Sequence, residues 1–153
     1  GVRSGRWAGP AAAIASPRGD GEAVAAWLVA DAERVLGGLL QPLAWALGVP
    51  WDEAQLAGSL IGQKFILNEF VAYVTFSEVA AQLSPHSQAI VIFALCGFAN
   101  LSSIAILLGG LGAVAPERRD DNSRYGFRAL IAASLSNLMS AALAGFFLTL
   151  GAA

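Results

Sequence analysis

One cysteine (Cys96), one histidine (His86) and one methionine occur among the 153 residues, and only 13% of the chain is charged. A single thiol allows neither an internal disulfide nor a thiolate metal cluster, and a single imidazole leaves a histidine metal site or triad without partners. The formal net charge of −2 gives no basic field for nucleic acid, so nucleic acid is not an expected partner. Charge is also missing unevenly: no Asp, Glu, Lys or Arg stands between Glu78 and Glu117, nor after Arg128. What remains is 56% hydrophobic, with a mean hydropathy of +0.61. The charged share is about half that of a typical soluble domain. An all-α integral membrane protein is the expected class, with the lipid bilayer as a partner.

A bilayer core needs about 20 helical residues to cross it. The second uncharged stretch, "ALIAASLSNLMSAALAGFFLTL" (residues 129–150), fits one final transmembrane helix, and its Ser134, Ser136, Asn137 and Ser140 suit a packing face. The first, residues 87–111, is long enough to span but carries Gly97, Asn100, Ser102 and Ser103 at its centre. These residues weaken helix or compete with its backbone, so two readings stand: a discontinuous transmembrane helix, or a continuous one whose polar groups contact neighbours.

Residues 52–76, "DEAQLAGSLIGQKFILNEFVAYVTF", pose the same choice more sharply. Arms of residues 52–62 and 68–76 would each reach about half way across a bilayer. Between and beside them lie Gly62, Gln63, Lys64, Asn68 and Glu69. A lysine or a carboxylate at bilayer centre costs roughly 2.5 to 3.5 kcal/mol to insert. A re-entrant helical hairpin avoids this by turning its polar tip into a cavity. The alternative is a straight helix with Lys64 and Asn68, four apart, facing the bundle interior.

"GQKFILNEFVAY" resembles the G-x-K-x-x-x-N-E-F-x-A-Y signature of the concentrative nucleoside transporter family. "ALCGFANLSSIAILLGGLGAVAPERR" resembles its next signature, and "SNLMSAALAG" a third. The resemblance covers roughly residues 36–153, the family's C-terminal portion. It implies a secondary active transporter, a symporter that moves nucleosides with a sodium or proton gradient, built from inverted repeats as a homotrimer and needing no cofactor. The second repeat is the one present. Its parts would be a hairpin at residues 52–76, a broken helix at 87–111 and a last span at 129–150, with substrate held near the midplane. By similarity, Glu69 accepts hydrogen bonds from ribose hydroxyls, Asn100 and Ser103 lie beside it, and Phe98 packs near the nucleoside. Lys64 and Asn68 would support the hairpin tip. Because the first repeat is absent, the chain is expected to be inactive alone, with neither base preference nor coupling ion readable.

Residues 1–35, rich in Ala, Gly and Arg, depart from the family pattern and open on Gly1 rather than methionine. A divergent or misread coding stretch, a disordered linker and a soluble helix over residues 21–36 remain open. Residues 115–128 read as a short loop with four arginines, which favours the cytoplasmic side and puts the C-terminus and both hairpin ends outside. Cys96 is expected as a buried packing residue and His86 as a loop residue. Trp45, Trp51 and Tyr73 are read as interfacial anchors, or Tyr73 as hairpin support. An intramembrane enzyme would need a partner for Glu69 that the chain lacks, so no enzyme is expected. A small membrane assembly subunit is the remaining alternative.

Overall fold

The computed structural model describes residues 21–151, and the described residues are helical with no strand. Six α-helices follow in order: α1 (Gly21–Ala46), α2 (Trp51–Ile66), α3 (Glu69–Val79), α4 (Pro85–Leu95), α5 (Leu101–Val114) and α6 (Arg119–Gly151). The boundary expected at residue 35 falls inside α1, which continues from Gly21 through that position without a break. What was read there for residues 1–20 lies outside the described residues.

Helices α1 and α2 pack at backbone distance, because glycine faces glycine. A Cβ on Gly37 would stand 2.7 Å from the Gln55 carbonyl oxygen, and one on Gly58 would stand 2.9 Å from the Gly37 oxygen. The turn joining them needs another glycine, Gly48, whose φ of +104° disfavours a side chain.

Helices α2 and α3 form a helical hairpin. Its turn is Leu67 and Asn68, and Asn68 caps α3 by accepting from the Val71 N–H at 2.9 Å. The chain then returns to where α2 began: the Ser84 N–H and Oγ both donate to the Glu53 carboxylate, at 3.1 and 3.0 Å. A straight helix through Lys64 and Asn68 is therefore not formed. The turn also lies later than the sequence pattern indicates. Gln63 and Lys64 stay helical because each finds a partner, Glu33 at 2.9 Å and the Ala94 carbonyl at 3.1 Å.

Ser84 caps α4, with Pro85 in its first turn. Helices α2 and α4 run parallel, joined near their starts by Glu53 and Ser84 and near their ends by Lys64 and Ala94. Buried Leu60, Ile61, Ile90, Val91 and Leu95 belong to the apolar core of the molecule. Residues 96–100 are not helical, and α5 starts only at Leu101. Helix α6 runs back along α5 and α4, so that Gly145 lies against the Ile90 side chain.

At 33 residues, α6 is about 50 Å long, more than a bilayer core requires. Residues 120–151 form the one stretch among the described residues long and apolar enough to cross a membrane, by length and composition. The loop read at residues 115–128 shrinks to 115–118, since Arg119 to Arg128 already belong to α6. Asp120 and Asp121 sit in its first turn, where carboxylates suit the helix dipole, and Arg118 pairs with Asp121 at 3.1 Å.

Two minor expectations are corrected. Cys96 is exposed rather than buried, because it ends α4 beside the irregular segment. His86 is not in a loop but in the first turn of α4, which Pro85 and Ser84 start one residue earlier. Trp45 and Trp51 are both exposed and meet edge to face, their ring centroids 6.4 Å apart.

Candidate functional site

Two helices start where the hairpin tip meets the irregular segment 96–100. Asn68 starts α3 and places Glu69 in its first turn; Asn100 starts α5. Asn100 Oδ1 accepts from the Ser103 N–H at 2.8 Å, while Ser103 Oγ accepts from the Asn100 N–H at 3.1 Å. This is a reciprocal capping box with serine in the place usually held by a longer acceptor. Ser103 Oγ in turn donates to the Asn100 carbonyl at 2.8 Å.

With its carbonyl committed to the cap, Asn100 has its amide donors free for other work. Nδ2 donates to the Phe98 carbonyl at 3.1 Å and to Glu69 Oε2 at 3.4 Å. Asn100 is buried, Glu69 and Ser103 are half-buried, and Phe98 is 76% exposed. Two helix N-termini, each a partial positive charge, thus meet near one carboxylate. Ser102 Oγ adds a tie to the hairpin turn, donating to the Leu67 carbonyl at 3.0 Å.

The other side of the break is the C-terminus of α4, whose last carbonyls lack helical partners. Side chains from three helices supply them. Tyr73 Oη donates to the Ile92 oxygen at 2.9 Å, and Asn137 Nδ2 to the Phe93 and Ala94 oxygens at 3.3 and 2.6 Å. Lys64 Nζ reaches the same Ala94 oxygen. Lys64 is 0% exposed, and its ammonium stands at the negative end of the α4 dipole.

Of the residues singled out from sequence, Glu69, Asn100 and Ser103 come together directly, and the Phe98 carbonyl joins them through Asn100. Asn68 and Lys64 lie behind them, one capping α3 and the other bracing α4. From sequence alone, Asn137 belongs to a packing face. A lone carboxamide within an uncharged span was the available signal for its partnership with a broken backbone. A groove of about 600 Å³ opens beside the break, lined by Phe98, Ser103, Leu107, Ser136 and Asn137 among others. Glu69 and Asn100 do not line it.

Comparison with known proteins decides the family. Residues 22–145 match the family described as "Na+ dependent nucleoside transporter C-terminus". The chain belongs to this family. Over 124 residues it is 56% identical to the putative nucleoside permease NupX of Escherichia coli (strain K12), covering 79% of this chain and 30% of that protein. It is 38% identical over 122 residues to the rat (Rattus norvegicus) sodium/nucleoside cotransporter 1, covering 70% of this chain and 19% of the relative. Among solved structures, CNTnw in an inward-facing substrate-bound state is similar, with a TM-score of 0.72 and 58% identity over 76% of this chain and 29% of that one. The chain therefore spans about 30% of the length of the bacterial relatives it matches. The family match starts at residue 22, so family-like sequence extends upstream of the boundary expected at residue 35. These relatives of the nucleoside transporter family are permeases and cotransporters by name, not enzymes.

Proposed function

We propose that residues 22–145 form the sugar-binding part of a cation-coupled nucleoside symporter in the plasma membrane. The observation that carries this reading is the Glu69 carboxylate held at the meeting point of two helix N-termini, with Asn100 Nδ2 on one oxygen. Vicinal ribose hydroxyls are two donors at nearly fixed separation, and a carboxylate is a matched pair of acceptors. Bonds to a charged acceptor are roughly twice as strong as neutral ones. Asn100 Nδ2, its two protons directed to Phe98 and Glu69, orients the carboxylate, and Ser103 Oγ, whose proton goes to Asn100, still has a lone pair for a hydroxyl. The exposed Phe98 ring supplies an apolar face for the nucleoside.

In this reading the α2–α3 hairpin is re-entrant and α4–α5 is one discontinuous transmembrane helix. The family's description and the rat relative's name favour sodium over a proton as the coupling ion. A homotrimer is the proposed assembly of the complete transporter.

The test is a double cycle in a transporter of full family length carrying residues 22–145: wild type and Glu69→Gln, each against uridine and its 2′- and 3′-deoxy analogues. Loss of a charged hydrogen bond amounts to about 1.5 to 3 kcal/mol. Uridine affinity should fall roughly 10- to 150-fold, with a smaller fall for an analogue that lacks a bonded hydroxyl. Equal weakening of every analogue would make the carboxylate structural.

A further inference from the structure

We infer that Lys64 and Asn137 are positioning residues for the sugar site, acting through the carbonyl of Ala94; the inference rests on the sugar-site reading above. Both donate to one oxygen, Lys64 Nζ at 3.1 Å and Asn137 Nδ2 at 2.6 Å, and neither hydrogen-bonds to Glu69, whose side-chain donor is Asn100. They come from different helices, α2 and α6, and converge on the last turn of a third, α4.

That oxygen lies where the α4 ladder ends, so an uncapped chain would be free to continue as helix or to shift its ending by a residue. Donors on the Phe93 and Ala94 oxygens fix the end where it is. Two residues on, the chain must pass Asn137 at backbone distance: a Cβ on Gly97 would lie 2.8 Å from the Asn137 Cγ and Oδ1. The path of residues 96–100 is thereby held at both its start and its middle. Asn100, at the end of that path, has its Nδ2 near the limit of hydrogen-bond reach of Glu69, at 3.4 Å. A small change in where α4 ends moves Asn100 and alters the pair that meets the ribose.

The choice of a lysine fits this task better than a packing role. A fully buried ammonium in an apolar setting is costly, and an apolar side chain of similar length would fill the volume without that cost. Its charge is matched to the concentrated negative end of α4, and a neutral residue has no such complementarity.

Uridine and 2′,3′-dideoxyuridine affinities would be measured in a transporter of full family length carrying residues 22–145, for wild type, Glu69→Gln, Lys64→Met and Asn137→Asp. Asn137→Asp keeps the shape against Gly97 and replaces the donor by an acceptor facing carbonyl oxygens. A packing role would lower stability or amount in the membrane but leave the uridine-to-dideoxyuridine ratio unchanged. The expected result is a compression of the uridine-to-dideoxyuridine ratio by about 10-fold in Lys64→Met and in Asn137→Asp, the size of one charge-assisted bond. Little further compression should follow when either is combined with Glu69→Gln. An unchanged ratio in both, where Glu69→Gln compresses it, overturns the inference and leaves the sugar-site reading standing. A ratio untouched by Glu69→Gln removes that reading and this inference with it. Should Lys64→Met fail to reach the membrane, Asn137→Asp decides alone.

Discussion

Glu69 raises the question of how a carboxylate is tolerated in an apolar stretch, and the residues around it answer with donors. Asn68 and Asn100 are both helix caps, yet their amides differ in use. Asn68 serves its own helix through Val71, whereas Asn100 caps α5 with its oxygen and reaches Glu69 with its nitrogen. Replacement of Asn68 by Ala should therefore cost about 1 kcal/mol, the usual value of a cap. Asn68→Asp, which keeps the acceptor, should recover most of it. Thermal inactivation of uridine binding in detergent measures the difference, and equal losses in the two variants would mean that the Asn68 amide holds something besides the Val71 N–H. At this scale the sequence was readable where residue type alone implies chemistry: a carboxylate and carboxamides in an apolar run are visible. The Ala94 carbonyl was not, since a backbone oxygen carries no sequence signature and its donors lie 30 and 43 residues away.

Among the elements, the all-helical class and the final long apolar helix were legible from missing charge. The polar centre of residues 87–111 left the choice between a break and a continuous helix open; α4 and α5 are separate helices. Boundaries were less legible. Helix α2 runs past Gly62 to Ile66 because Gln63 Nε2 and Lys64 Nζ find tertiary acceptors, which periodicity does not report. The arginine-bearing stretch is helical from Arg119 onward, since acidic residues in a first turn and a local ion pair favour helix over loop. This does not move the proposed orientation. Glu53 and Ser84 tie the hairpin ends together, and Gly145, near the end of α6, packs on Ile90 in α4. The hairpin base and the end of α6 thus share one side of the bundle. With the arginines cytoplasmic, that side is outside. Single cysteines at Ser123 and Ala153, introduced after Cys96→Ala, should respond oppositely to an impermeant maleimide in intact cells, with position 153 labelled and position 123 protected. The reverse pattern would invert the orientation.

At the scale of the whole molecule, the half-open geometry matters most. Phe98 is largely exposed and the groove beside it is open, so under the proposed sugar-site reading these residues are one wall of the site. Alternating access in such transporters moves one bundle against another around a site that both complete. Vesicles containing only these 153 residues are therefore expected to show no gradient-driven uridine uptake. Uptake above that of empty vesicles, abolished by collapsing the gradient, would mean that copies of the chain complete the site for one another. The tight meeting of Gly97 and Asn137 has one more consequence, for heredity rather than for transport. A substitution at either codon is expected to constrain the other. A methyl group at position 97 needs space that the position-137 side chain fills, and a bulkier residue at 137 needs the hydrogen at 97. Revertants of a Gly97→Ala defect should therefore concentrate at codon 137, on a helix distant in sequence.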